Sequence, residues 1–374
     1  MKICIDARSL GTRGILSYSD GLMKKLLEVD RLNEYVRIVD SNGVGGPAYD
    51  GVEEIPVPSQ NPMYWFYWSN AVLPRILRRR GVDVYHSFKH ITAFWVPAAK
   101  LVTIHGIHSH YFLPQYHKRH HTWYWKSMCR LAVDRYDRII TVSESEKNYL
   151  VRHLGYPPDR FRVTHLGADD RFREAGRDPA GMAKARRKYG LPDRYLFFAG
   201  KIDPIKNIEG MIRAYREVKR RTSTECRLVL AGDDRSPFAD RMKSLTRELG
   251  IERDVRFLGY LSDELPFVFN LAEAYLFPSC TECFPVALVE AMSCGLPLIS
   301  SDIDEIREVV GDAGILVDPN DVGDIARAIE TVITSESIRA SLRERSLERV
   351  NRFSWENCAK ETLSIYEELQ QRRS

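Results

Sequence analysis

The chain has 374 residues, 44% of them apolar and 28% charged, which is the balance of a globular protein long enough for two domains. No run of roughly 18 apolar residues occurs, so no membrane-spanning helix is expected, and the opening MKICIDARSL reads as a strand rather than a secretory leader. Seven scattered cysteines fit a reducing compartment, and a cytoplasmic location is expected. The net charge of +4 is unevenly placed. Residues 1–172 hold 24 Lys/Arg against 17 Asp/Glu, and the remainder holds 31 against 34. All histidines lie at or before His165. A basic first half can meet an anionic surface or an anionic substrate.

In chain order, KICIDA reads as a short apolar strand. A loop with Gly11 and Gly14 follows, and then the helical pattern YSDGLMKKLLEV. Strand, glycine loop and helix is how a nucleotide-binding α/β unit begins. Further strands are predicted at EYVRIV, DVYHS, AKLVTIHG and DRIITVS, with helices such as AVLPRILRRR and SESEKNYLVRHLG between them. The polar, Gly/Pro-spaced stretch REAGRDPAGMAKARRKYG predicts a linker near 172–190. The pattern then restarts at RYLFFAG and alternates through CRLVLAG, DVRFLG, AYLFPS, the helix PVALVEAMSCG and the strand PLISS. Two such units imply parallel sheets covered on both faces, with ligands at the carboxyl ends of the strands.

Cys280-x-x-Cys283 invites a metal or redox reading. Cys294 brings the local thiols to at most three, and no histidine follows residue 165. The set therefore falls short of four zinc ligands, and the cysteines read as small packing residues. The carboxylates of the same stretch are more informative. Glu282 lies in the loop after AYLFPS, and Glu290 about two turns into the helix that follows. Residues 284–290, beginning Phe284-Pro285-Val286, open that helix, whose N–H groups can hold an anion or a hydroxylated ligand. Lys201 and Lys206 follow a strand ending at Gly200 and suit a pyrophosphate. His105 ends the strand LVTI and can accept a hydrogen bond or move a proton. Solvated charges and a structural histidine are the ordinary alternatives at each of these positions.

Taken together these segments resemble glycosyltransferase family 4, the retaining enzymes with the GT-B fold. ECFPVALVE is similar to that family's Glu-x7-Glu motif, FAGKIDPIKN to its donor-phosphate motif, VTIHG to its strand-end histidine and GILSY to its first glycine loop. ITVSESEK, FLGYLSDEL, GILVDPNDVGDIARAI and FSWE also match, so the resemblance spans nearly the whole chain. It implies an α/β GT-B architecture, two Rossmann-like domains facing across a cleft. Residues 1–172 would bind the acceptor and 173–355 the nucleotide-sugar donor, with a helix at about 356–374 packing back on the first domain.

The resemblance also implies roles. Gly14 would let the backbone approach the donor pyrophosphate, and Lys201 and Lys206 would neutralise it as the leaving group develops charge. Glu290 would hold the ribose hydroxyls and Glu282 those of the transferred sugar, with His105 near the anomeric centre. The backbone at Leu258, Gly259 and Tyr260 would border the base. No cofactor and no metal are expected beyond the nucleotide-sugar co-substrate. FLGYLSDEL resembles enzymes that use GDP-mannose. A lipid-linked glycan acceptor in bacterial surface polysaccharide, such as O-antigen in lipopolysaccharide, is the implied setting. Two departures stand out: Pro285-Val286-Ala287 replaces Gly-Leu-Pro, and Gly106 follows His105 where Asp is often found. YWFYW at 64–68 and YHKRHHTWYWK at 116–126 interleave aromatic and basic residues, which suits a sugar platform or a lipid headgroup surface, the latter implying a peripheral position on the inner face of the cytoplasmic membrane; aromatic packing with solvated charges is the ordinary alternative. Nothing else supports nucleic acid as a partner. A nucleotide-sugar epimerase of the same fold and a non-catalytic glycan- or nucleotide-binding protein are the competing readings.

Overall fold

The computed structural model describes residues 1–8, 13–40, 47–57, 61–88, 93–106 and 119–372. The chain divides into two compact units, Met1–Gly167 with Ser354–Ser374, and Ala168–Phe353. Gly11 and residues 116–118 of the second aromatic-basic stretch lie outside the described residues.

The first unit is built on a parallel sheet of seven described strands. They are β1 (Lys2–Asp6), β2 (Glu34–Asp40), β3 (Glu53–Val57), β4 (Val84–Ser87), β5 (Ala99–Ile104), β6 (Arg138–Thr141) and β7 (Phe161–Val163), in the order β3-β2-β1-β4-β5-β6-β7. Val84–Ser87 is buried throughout and Ala99–Ile104 nearly so, as required of central strands covered on both faces. Helix α1 (Arg13–Val29) follows β1. The helical segment 62–80 consists of α2 (Pro62–Tyr67), a π-helical turn at Trp68–Val72 and α3 (Leu73–Arg80).

The C-terminal helix Trp355–Gln371 belongs to this unit. Its Trp355 ring lies where a side chain on Gly21 of α1 would be, 2.3 Å from an ideal Cβ, so only glycine allows the two helices to meet so closely. Glu368 accepts hydrogen bonds from Arg138 (2.6 Å) and Arg162 (3.1 Å).

The second unit repeats the architecture with β8 (Tyr195–Ala199), β9 (Arg227–Ala231), β10 (Val255–Phe257), β11 (Ala274–Phe277), β12 (Leu298–Ser301) and β13 (Gly314–Val317). The order is β10-β9-β8-β11-β12-β13, and the pairings are parallel. In both sheets the order reverses beside the first strand, between β1 and β4 and between β8 and β11. Loops at the carboxyl ends diverge at such a point and leave room for a ligand.

The stretch expected as a linker is structured. Arg171–Ala175 and Pro179–Tyr189 are helices. Asp178 caps the second by accepting from Gly181 N, Pro179 occupies its first turn, and Gly190 closes it at φ 54°. Its polarity is that of an exposed helix with Ala185 buried beneath. Phe172 packs edge-to-face on Phe269 at 5.3 Å, which ties this segment to the second unit.

Candidate active site

At the reversal point of the second sheet two loops are fastened to each other. The loop after β8 runs from Gly200 to Asn207. Gly200 N donates to Ala231 O (3.0 Å), and Gly232 N donates to Gly259 O (2.9 Å). A Cβ on Gly232 would lie 1.9 Å from the Gly200 carbonyl oxygen, so the ends of β8 and β9 can approach this closely only if residue 232 is glycine. Asp203 accepts from Ile205 N (3.0 Å) and caps the 3-10 turn Pro204–Lys206. Asn207 takes the left-handed conformation at φ 55° and caps the next helix by accepting from Gly210 N (3.2 Å). Its amide donates to Pro319 O (2.7 Å).

The loop after β11 is tied to this one through the Ile205 carbonyl, which accepts from Cys280 N (2.8 Å) and Ser279 Oγ (3.2 Å). Ser301 Oγ in turn donates to Ser279 O (2.6 Å). The consequence is an ion pair: Lys206 Nζ donates to Glu282 Oε1 at 2.5 Å and lies 5.1 Å over the Phe277 ring. Both side chains are largely buried, at 21% and 11% exposure. Lys201 is different. It is 78% exposed and pairs with Asp203 at 3.0 Å.

The helix after this loop starts at Val286, because Pro285 is non-helical at φ −80°, ψ 80°. Glu290 therefore lies little more than one turn in, not two. No side chain caps the helix; Val286 N donates to Phe284 O (3.0 Å) and Leu288 N to Pro285 O (2.9 Å), which leaves the Ala287 N–H of the first turn to meet a ligand. Glu290 is half-buried, and its carboxyl is pushed up to about 7. Burial is the main cause, Asp169 adds repulsion, and Arg171 acts in the opposite direction. Phe284 is expected beside the donor through its backbone. Its ring is buried and packs edge-to-face on Phe353 at 5.8 Å, so only its backbone can face a ligand. Leu258 N donates to Leu230 O (2.9 Å), Gly259 turns the chain at φ 71°, and Tyr260 is exposed.

Gly14 and His105 belong to the first unit. A Cβ on Gly14 would meet nothing within 4 Å among the described residues, so none of these neighbours requires glycine there. The His105 ring packs edge-to-face on Tyr18 with centroids 4.4 Å apart. Gly106 lies at φ 100°, a conformation costly for any side chain, which explains why no aspartate follows this histidine. Behind it, Tyr18 OH lies 3.1 Å from Thr103 Oγ1. His86 links Thr103 (2.8 Å) to Tyr366 of the C-terminal helix (2.7 Å). Burial, together with nearby His105, holds the His86 imidazole well below its ordinary pKa and therefore neutral.

The cysteines are free thiols. Burial pushes the Cys280 thiol up, as do Asp203 and Glu282, which is the opposite of activation. Cys294 is a packing residue that donates to Phe172 O (3.4 Å) and accepts from Asn270 Nδ2 (3.2 Å).

One feature at the reversal point of the first sheet escaped the sequence reading. Arg8, just past β1, is fully buried with Asp6. Its Nε and Nη2 donate to the two Asp6 oxygens at 2.7 and 2.5 Å, and Nη2 also donates to Ser69 Oγ at 2.9 Å. Tyr85 OH donates to Asp6 Oδ2 at 2.7 Å. The Trp65 and Trp68 rings lie 5.0 and 5.3 Å from the guanidinium. The only signal in the sequence was the Asp-x-Arg at a strand end. Gly232 was likewise visible only as the end of a strand.

Comparison with known proteins identifies the family. Residues 28–172 match the model for Glycosyltransferase Family 4, and residues 182–349 match that for Glycosyl transferases group 1. O-antigen chain mannosyltransferase B of Escherichia coli is 34% identical over 271 residues, 72% of this chain and 70% of the relative. The serotype-specific mannosyltransferase WbdA of Escherichia coli is 29% identical over 60% of this chain, and the match spans 28% of that longer protein. Among solved structures, the glycosyltransferase of Rickettsia africae superposes with a TM-score of 0.78 at 18% identity, covering 98% of each chain. HepE of Anabaena, solved with UDP and glucose, gives 0.76 at 18% identity over 98% of this chain and all of that one. These structures share the GT-B fold. The chain is a glycosyltransferase, a member of family 4 with the GT-B fold.

Proposed function

We propose that this enzyme transfers a hexose, mannose in the first instance, from a nucleoside-diphosphate sugar to a lipid-linked glycan of a bacterial surface polysaccharide, with retention of anomeric configuration. The observation that carries the reading is the Lys206–Glu282 pair at the reversal point of the second sheet. It sets a cation and a carboxylate side by side where a ligand binds, next to an uncapped helix N-terminus.

In this reading Lys201 and Lys206 neutralise the diphosphate as it leaves, the task that a metal ion performs in other phosphate sites. Lys201 is exposed and free to swing onto a phosphate. Lys206 is held in place by Glu282 and Phe277, so its charge needs no reorganisation during reaction. Glu282 Oε1 is engaged by Lys206, and Oε2 has no protein partner among the described residues, which leaves it to accept from hydroxyls of the transferred sugar. Glu290 accepts from the ribose hydroxyls. The backbone at Leu258, Gly259 and Tyr260 borders the base, while the resemblance assigns Gly14 to the pyrophosphate and His105 to the sugar. These groups supply position and charge rather than a nucleophile, in keeping with a front-face reaction in which a donor phosphate oxygen takes the acceptor proton. The mannosyltransferase relatives support mannose as the sugar and O-antigen as the setting.

The test is incubation with a panel of GDP-, UDP- and dTDP-hexoses, following nucleoside diphosphate release and the anomeric configuration of the product, with and without EDTA. GDP-mannose turnover that survives EDTA and gives an α-linked product is expected. An inverted product contradicts retention, and loss of turnover in EDTA contradicts metal-independence. Interconversion of free nucleotide sugars would assign an epimerase.

A further inference from the structure

The helical segment 62–80 has an inner and an outer face that differ in an unusual way. Its inner residues Trp65, Trp68, Leu73 and Leu77 are buried. Arg8 braces this side, with its guanidinium over the Trp65 and Trp68 rings and bonded to Ser69. The outer face should then be polar. Instead its first half presents Met63, Phe66 and Tyr67, which are 78%, 48% and 60% exposed. Their i, i+3, i+4 spacing puts them on one side of α2. The second half presents Arg75, Arg78 and Arg79, also exposed.

Two further observations point to one kind of occupant. Residues 55–133 contain ten Lys/Arg and a single carboxylate, Asp83, and Arg78 and Arg79 have no ion-pair partner among the described residues. In addition, the π-helical turn is pinned from the side. Asn70 Oδ1 accepts from Phe94 N (3.0 Å), and its amide donates to Phe66 O (2.9 Å). This sets Trp95, 62% exposed, beside the turn. Exposed aromatics on a rigidly braced helix, continued by unpaired arginines in a stretch nearly free of carboxylates, match a layer that is apolar at depth and anionic at its surface. No helix among the described residues is long and apolar enough to cross a membrane, so the contact would be made by lying on it.

We propose that the outward face of residues 62–80 docks on an anionic phospholipid bilayer, with Met63, Phe66 and Tyr67 entering the interface and Arg75, Arg78 and Arg79 meeting the headgroups. This deepens the acceptor side of the proposed function and rests on the reading that the acceptor is lipid-linked. The brace at Arg8 gives the face its rigidity, and it lies in the unit assigned to the acceptor.

The test is flotation of the full chain with vesicles of phosphatidylcholine alone or mixed with phosphatidylglycerol. The wild type should float with the anionic vesicles and be released by high salt. In the triple variant Met63→Ser/Phe66→Ser/Tyr67→Ser, flotation should fall at least about tenfold, while the thermal melt and nucleoside diphosphate release from a soluble donor stay as in the wild type. Arg78→Glu/Arg79→Glu should remove the preference for anionic vesicles. Failure of the wild type to float, or equal flotation of the triple variant, overturns the proposal. So does a wild-type dimer that the triple variant dissolves while neither floats, since that assigns the face to a second copy. A wild type that floats through this face yet turns over no nucleotide sugar would sink the transfer reading and leave the docking surface standing.

Discussion

Lys206 Nζ and Glu282 Oε1 lie 2.5 Å apart although 76 residues separate them in sequence. The contact is not a chance surface pair. The loops carrying the two residues are zipped through the Ile205 carbonyl, and the pair is largely buried. Truncating one partner leaves the other charge poorly solvated. Glu282→Ala and Lys206→Ala should therefore each lower the melting temperature, and the double variant should lose less than the sum of the two. A double-mutant cycle by thermal denaturation checks this. Strict additivity would mean that the pair is not formed in solution.

Lys201 should behave oppositely. It is exposed and pairs only with Asp203 among the described residues, and such pairs contribute about 0–1 kcal/mol. Lys201→Ala should leave the melt unchanged and raise the donor KM roughly tenfold, as expected for loss of one charge-assisted phosphate contact. Nucleotide titration by calorimetry alongside the melt separates the two effects.

Glu290 should make the enzyme sensitive to pH near neutrality. Its carboxyl is raised from 4.5 to about 7, so the folded protein binds a proton that the unfolded chain releases between those values. The stability this contributes is present below pH 4.5 and is lost as pH rises through 7. Glu290→Gln should thus melt higher than the wild type at pH 8, with the difference vanishing toward pH 4.5. If the ionised carboxylate holds the ribose, wild-type donor affinity should fall as pH drops through about 7, and Glu290→Gln should remove that dependence. Donor KM measured from pH 5.5 to pH 8.5 checks it.

Gly232→Ala tests the narrow approach of β8 and β9. The new methyl would meet the Gly200 carbonyl oxygen, a backbone atom that cannot rotate away. A loss of about 1–3 kcal/mol is expected from such overpacking, together with a weaker donor site, because Gly200 begins the loop that carries both lysines. Chemical denaturation and nucleotide affinity read the two consequences.

The alternation of glycine-ended strands and helices was legible in the sequence because buried parallel strands such as YLFFA and RLVLA are continuous apolar runs. The lysines and glutamates were legible as motifs at the ends of those strands. Their direct pairing was not, since strand order decides which loops become neighbours, and β8 pairs with β11 across intervening strands. The expected linker misled because an exposed helix and a loop share the same polar composition. Only the Asp178 cap and the Pro179 that follows distinguish the helix. The ring contact of Phe284 with Phe353 was not legible, since it joins residues distant in sequence. Asp6 and Arg8 went unnoticed because a buried charged pair depends on partners distant in sequence, here Ser69 and Tyr85.

In the proposed function Lys206 and Glu282 form the working core of the sugar-transfer site. The decisive measurement is steady-state kcat/KM for nucleoside diphosphate release from the preferred donor, compared among wild type, Lys206→Ala and Glu282→Gln with each protein assayed well below its own melting temperature. Each substitution should lower kcat/KM by about 100-fold or more, as loss of a preorganised charge contact does. Near-normal turnover in both variants would contradict it.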